Sequence, residues 1–290
     1  MVLTLDQVNA LDEPGFLSAL GDVFEGAPWV AERAWYMRPF TSITALHQAM
    51  YNAVRGMAPL ERIAWLNTLP DLGAAMEQAI NADAVAEHDG LALEQLDAAR
   101  LARLRDGNAA YRARLGFPFI LCARRHTRAS LFHELAWRLR NDLASERACA
   151  MDQVFLITRL RIADRVSGSG LSSLQGGLRV LVLDSVSEQP VADVPAALFE
   201  IDGDAALALV EATTNAAGGT DVALLSGAPL RIGQYELRVG PRPHFAQAST
   251  CLDVIPIRFS ITEPEAQYLV TLLVGAWGYS IQLAKERSDG

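Results

Sequence analysis

The feature that most constrains this chain is a change of hydrophobic period near Ser167. Before it, apolar residues recur at helical spacing, with Leu46, Met50, Val54 and Met57 at i, i+4, i+8 and i+11. Thr4 and Gln7 form a capping-box pattern ahead of Val8, Leu11 and Phe16. Asp12-Glu13-Pro14-Gly15, Arg38-Pro39, Leu69-Pro70 and Gly116-Phe117-Pro118 mark breaks between helices. After Ser167, short runs of β character at 178–183, 196–201, 235–239, 255–261 and 267–274 are separated by Gly, Pro and Asn/Asp clusters. The pattern predicts two domains: an all-α domain over 1–166 and an all-β sandwich over 178–290, joined by a flexible Gly/Ser linker at 167–177. Within the second half, 205–212 is rich in Ala and Leu and is expected to form a single short helix.

Bulk properties narrow the functions open to such a chain. Its 290 residues suffice for two cores, and 51% apolar residues mark a compact globular protein. A net charge of −9, with no local block of Lys and Arg, disfavours nucleic acid or an anionic membrane as partner and leaves small molecules or proteins. No apolar run approaches the roughly 18 residues of a membrane span, and Met1 to Asp6 lacks the basic start of a signal peptide, so the expected location is cytoplasmic. Cys122, Cys149 and Cys251 are too scattered for a disulfide framework and are expected to be buried thiols. His47, His88, His126, His133 and His244 include no i, i+4 pair, and no phosphate-cradling Gly loop occurs, so neither metal nor cofactor is expected.

Particular segments of the first half resemble the decarboxylase family that acts on 2-oxo-4-hydroxy-4-carboxy-5-ureidoimidazoline (OHCU). They are Pro28-Trp29-Val30-Ala31-Glu32-Arg33-Ala34-Trp35 with Arg38-Pro39-Phe40, then Leu69-Pro70-Asp71-Leu72, Asn108-Ala109-Ala110-Tyr111, Gly116-Phe117-Pro118-Phe119-Ile120 and Arg138-Leu139-Arg140-Asn141. The resemblance implies loss of carbon dioxide from a ring carbon beside an imine-like position, followed by protonation on one face. The family places a general acid/base His directly before Pro-Asp-Leu, where this chain has Leu69, which cannot carry a proton. The family's Ser-x-x-Glu-Gln maps onto Ala84 to His88, so Glu87 is kept while Ser becomes Ala84 and Gln becomes His88. Either His88 takes over the proton transfer with Glu87 orienting it, or 87–90 is a solvated polar turn. The resemblance likewise makes Pro70 and Phe117-Pro118-Phe119-Ile120 a cradle for the ring, where the bare pattern also fits plain core. It makes Arg161 a bidentate anchor for the substrate carboxylate, where a solvated helix face is the alternative. Arg124-Arg125-His126 is expected to be surface or structural.

The second half resembles the transthyretin-like 5-hydroxyisourate hydrolases through Leu181-Val182-Leu183-Asp184-Ser185, Pro190 to Pro195, Thr214 to Asp221, Gly233 to Leu237 and Asp253 to Phe259. That family's polar catalytic positions read here Leu181, Gly219, and Gln267 with Leu269, and its terminal motif is missing from Gln282 onward. Hydrolysis without a base or metal is not expected, and the resemblance instead implies a homo-oligomerisation scaffold, dimeric or tetrameric. Three readings follow: a diverged decarboxylase acting on a urate-derived or other modified nitrogen heterocycle, for instance a methylated urate derivative or an intermediate of specialised metabolism; a catalytically dead binding or regulatory protein; or an ordinary bifunctional allantoin-forming enzyme.

Overall fold

The computed structural model describes residues 2–73, 93, 96–170, 174–245 and 250–287. They form two compact units, one of residues 1–124 and 131–172, the other of residues 125–130 and 173–290.

The first unit is helical. Its helices are α1 (Leu5–Ala10), α2 (Glu13–Leu20), α3 (Trp29–Trp35), α4 (Ile43–Arg55), α5 (Pro59–Leu66), α6 (Ala98–Leu115), α7 (Arg128–Arg138, whose first turn is counted with the second unit) and α8 (Leu143–Arg165). Local chemistry sets their ends. Thr4 and Gln7 cap α1 reciprocally, as their spacing predicts. Asp12, Ser42, Asp97 and Asp142 each accept a backbone N–H in the first turn of α2, α4, α6 and α8. Gly116 ends α6 in the left-handed region at φ 80°, where a side chain would be strained. The helical spacing on α4 buries Leu46, Met50 and Val54 in a core that also holds Phe16, Phe24, Tyr111, Phe117 and Phe119.

The described ends of the stretch 167–177 are held by backbone pairing. Val166–Ser167 (β2) pairs in parallel with Leu3–Thr4 (β1), the Ser169 carbonyl accepts from Ile43 N at 3.1 Å, and Gly177 already opens the next strand. Backbone pairing of the N-terminus, invisible to a reading of local composition, captures Ser167.

The second unit is a β-sandwich. One sheet has the order β5 (Ala205–Thr213), β4 (Pro195–Asp202), β6 (Gly233–Val239), β7 (Ile255–Ile261); the other has β3 (Gly177–Asp184), β8 (Ala266–Val274), β9 (Tyr279–Arg287), with β3 and β8 parallel. The segment 205–212 is therefore strand, not the expected helix. It pairs antiparallel along the whole of β4, and that tertiary ladder overrides the helix propensity of Ala and Leu. Alternate residues of β3, β4, β6 and β8, such as Val180, Leu198, Leu237 and Val270, fill the core.

The cysteines also depart from expectation. Cys122 is buried, Cys149 is partly covered and Cys251 is exposed. Among the described residues, no helix is long and apolar enough to cross a membrane.

Candidate active site

A cavity of about 80 Å³ opens in the helical unit between α5, α8, the turn 23–25 and the segments 69–72 and 119–121. One water needs ~10–15 Å³, so this space suits a ligand fragment. Leu69, Pro70, Phe119, Ile120 and Arg161, all singled out in sequence, line it together. Glu25, Trp65, Asp71 and Thr158 join them.

Helix α8 supplies the cavity's cationic group. Val154, Thr158 and Arg161 fall at i, i+4 and i+7, on one face of the helix. Arg161 is only 5% exposed, which rules out a solvated helix face. Its Nη1 donates to the Val23 carbonyl at 3.2 Å, and its Nη2 lies 3.6 Å from Glu25 Oε2. Thr158 donates its hydroxyl proton to the Val154 carbonyl at 2.8 Å, so His47 Nε2, 2.9 Å from Thr158 Oγ1, must carry the hydrogen of that contact. Burial, with the Arg159 charge adding to it, pushes His47 down to about 4, consistent with a neutral ring.

The segment 119–122 is held from behind. Arg138 Nη1 donates to the Ile120 carbonyl at 2.7 Å, and Gln153 Oε1 accepts from Cys122 N at 2.8 Å. Arg138 in turn donates through Nε to Glu146 Oε2 at 3.0 Å and packs its guanidinium 4.8 Å from the Phe119 ring. The Tyr111 hydroxyl donates to Glu146, and burial, the largest influence on it, pushes that hydroxyl well above the ordinary tyrosine range. Asn108 Nδ2 donates to the Leu72 carbonyl at 2.8 Å and so fixes the turn after Pro70.

Not every expected residue reaches the cavity. Phe117 is buried against Tyr111 instead, and Pro118 is buried too; neither lines the space, because the side chains that face it begin at Phe119. Glu87, His88 and Ala84 lie outside the described residues. Arg124 pairs with Asp164, Arg125 with Glu265, and His126 Nδ1 contacts Ser130 Oγ at 3.0 Å, all structural roles. Glu25 and Thr158 were not among the residues picked out in sequence. Thr158 was signalled by its place three residues before Arg161, on the same helix face.

In the sandwich, Leu181, Gln267 and Leu269 share the half-buried face of the β3-β8-β9 sheet, and Gly219 bridges to Leu181. Leu183, Thr271 and Leu273 lie on the same face, with Arg179 paired to Leu269 and Ser280, Gln282 and Ala284 added by β9; the four family positions themselves carry no acid, base or imidazole. Among the described residues no cluster of three or more His, Cys, Asp or Glu is placed to hold a metal.

The fold defines a two-unit protein, a helical unit holding a cavity with a buried arginine in its wall and a β-sandwich unit. Comparison with known proteins then gives the family. Residues 9–163 match the model of OHCU decarboxylase and residues 178–282 that of the HIUase/Transthyretin family. The 2-oxo-4-hydroxy-4-carboxy-5-ureidoimidazoline decarboxylase of Haloferax volcanii is 34% identical over 165 residues, covering 57% of this chain and 97% of that protein. The uric acid degradation bifunctional protein PucL of Bacillus subtilis is 28% identical, covering 60% of this chain and 35% of its own length. A crystal structure of (S)-allantoin synthase is similar over 97% of this chain and 99% of its own, with 27% identity and a TM-score of 0.53. The chain belongs to the OHCU decarboxylase family, with a transthyretin-like C-terminal domain, and is an enzyme of the decarboxylase class.

Proposed function

We propose that the chain releases carbon dioxide from an OHCU-type ureidoimidazoline in urate degradation, in the cavity of its helical unit. The observation that carries this reading is Arg161, buried in the same cavity wall as Leu69, Pro70, Phe119 and Ile120. A guanidinium so placed takes the substrate carboxylate, and the ring lies against the Phe119-Ile120 segment. Val23, Leu69, Leu121, Val154 and Ile157 give the wall an apolar stretch beside its polar groups Glu25, Asp71 and Thr158. Such a stretch disfavours a carboxylate relative to neutral carbon dioxide, so it pushes the reaction forward. Leu69 removes the family's usual proton carrier; the pair that the sequence offers in its place, Glu87 with His88, lies outside the described residues, and its part is decided by the His88→Ala variant. Altered substrate chemistry, such as a modified heterocycle, is the other consequence that Leu69 admits.

The sandwich is assigned a scaffold role. The leucine-rich face of β3 and β8 favours association of copies of the chain over hydrolysis. A second reading, a bifunctional enzyme that also hydrolyses 5-hydroxyisourate, is favoured by the full-length likeness to (S)-allantoin synthase. Leu181, Gly219, Gln267 and Leu269 count against it.

Two assays separate these readings. With OHCU generated by a separate hydrolase, the chain is expected to accelerate decarboxylation, and Arg161→Ala to lower kcat/KM by ~100-fold; decay at the spontaneous rate overturns the proposal. Given 5-hydroxyisourate alone, the chain is expected to leave its hydrolysis unaccelerated, and rapid hydrolysis establishes the bifunctional reading. His88→Ala tests the replacement directly, since unchanged kcat removes His88 from the mechanism.

A further inference from the structure

We propose that Glu25 is the acid that protonates the decarboxylated carbon, taking up its proton when the substrate carboxylate binds beside Arg161. The inference rests on the decarboxylase reading above and names a catalytic group for that site.

Leu69 stands at the position where the family places an imidazole, and no His is among the described residues lining the cavity. Of the described side chains lining the space, those able to exchange a proton in ordinary acid–base chemistry are Glu25, Asp71 and the Thr158 hydroxyl. Thr158 directs its proton to the Val154 carbonyl. Asp71 Oδ1 accepts from Arg112 Nη2 at 2.9 Å on a more open flank, with 38% of its side chain exposed against 23% for Glu25. Glu25 is the carboxylate that shares the inner wall with Arg161, 3.6 Å away.

The backbone around Glu25 is built to hold it there. Gly26 follows at φ 68°, in the left-handed region, so the chain turns sharply straight after Glu25. A Cβ at Gly26 would also sit 3.1 Å from Thr68 Oγ1. Trp65 Nε1 donates to the Glu25 carbonyl at 3.0 Å, and Phe24 is buried against the Trp65 ring. These contacts fix the Glu25 backbone on both sides, and the side chain points to the guanidinium.

Electrostatics then supplies the proton. Among the described residues, the charged groups near Glu25 include Arg161 and Asp71 in the same wall, and the Asp22 and Arg165 pair at the adjoining end of α8. Without substrate, the Glu25 carboxyl faces the Arg161 guanidinium at 3.6 Å. A substrate carboxylate on Arg161 brings a second negative charge beside the first, and two carboxylates sharing one cation drive a proton onto one of them. Glu25 takes that proton from water. The carbon–carboxylate bond then breaks, its electron pair moves onto the adjacent ring C=N, and carbon dioxide leaves. The pair returns to carbon as the Glu25 O–H proton transfers to it, and Glu25 ends as the carboxylate it was before binding. One substrate anion and one proton give one neutral ring product and one carbon dioxide. Because Glu25 stands on one side of the cavity, protonation yields one enantiomer.

The test uses the full chain, OHCU produced by a separate hydrolase, carbon dioxide release for rate, and chiral chromatography of the allantoin formed. Glu25→Gln keeps the shape and the contact with Arg161 but removes the acid. It is expected to lower kcat by at least ~100-fold, to change KM by less than ~3-fold, and to shift the product toward the racemate. Glu25→Asp retains an acid and is expected to keep enantiopure product at a kcat well above that of Glu25→Gln. Wild-type kcat and enantiopurity in Glu25→Gln, or Glu25→Asp no better than Glu25→Gln, overturn the proposal. Failure of the wild-type chain itself to accelerate decarboxylation is a different result, and it overturns the functional reading beneath it.

Discussion

Arg138 offers the sharpest test of how the cavity is supported. Its side chain and that of Glu146 are wholly buried, and between them they hold the Tyr111 hydroxyl, Asn141 Nδ2 and the Ile120 carbonyl. Arg138→Met is close in volume but leaves Glu146 as an uncompensated buried charge and takes the donor from Ile120. Breaking such a buried pair costs about 3–5 kcal/mol. At ~2–4 °C per kcal/mol for a unit of this size, the helical transition is expected to fall by roughly 10 °C or more. Helical ellipticity is the right readout, since the described helices lie almost entirely in the first unit. Arg138→Met with Glu146→Leu removes both charges and is expected to recover much of the loss, because a packed apolar pair replaces an ion pair at little or no cost. Since Arg138 also fixes the Ile120 carbonyl, kcat is expected to fall in the single variant beyond what the lost folded fraction accounts for. A melting change below about 2 °C in Arg138→Met refutes the idea that this network holds the cavity wall.

Two further outcomes follow from burial. His47 is held at about 4 in the folded protein, while the unfolded chain takes up its proton near the ordinary 6.5, so the folded state favours the neutral ring. Its stability is full above about pH 6.5 and falls as pH drops toward 4, by roughly 3 kcal/mol from this residue alone; urea titrations across that range are expected to show the loss in the wild type and a flatter profile in His47→Gln, and equal slopes refute it. Cys251 is exposed while Cys122 is buried, so a thiol reagent under native conditions is expected to label Cys251 and to reach Cys122 only on unfolding; early labelling of Cys122, read by peptide mass, contradicts the fold around 119–122.

What was legible in the sequence was whatever local chemistry decides. The spacing of Leu46, Met50 and Val54 and the reciprocal cap of Thr4 and Gln7 both correspond to real elements because each depends on residues within a turn or two. The period-two runs such as 235–239 and 267–274 read correctly for the same reason. Residues 205–212 did not, since their conformation is set by pairing with β4, and Ser167 did not, since its partner is the N-terminus. The site divides in the same way. Arg161, Pro70, Phe119 and Ile120 were recoverable from the family resemblance, whereas Glu25 becomes visible only when α8 brings Arg161 to it across most of the unit. Phe117 and Pro118 belong to the same short motif as Phe119, but the motif does not say which of its side chains meet the cavity.

The account turns on whether the helical cavity performs a stereoselective decarboxylation without the imidazole its family places at residue 69. The direct measurement is the enantiomeric composition of allantoin formed from freshly generated OHCU, with and without the chain, alongside the rate of carbon dioxide release. Accelerated release with one allantoin enantiomer in excess, both abolished by Arg161→Ala, is the expected result. A racemic product released at the uncatalysed rate contradicts it.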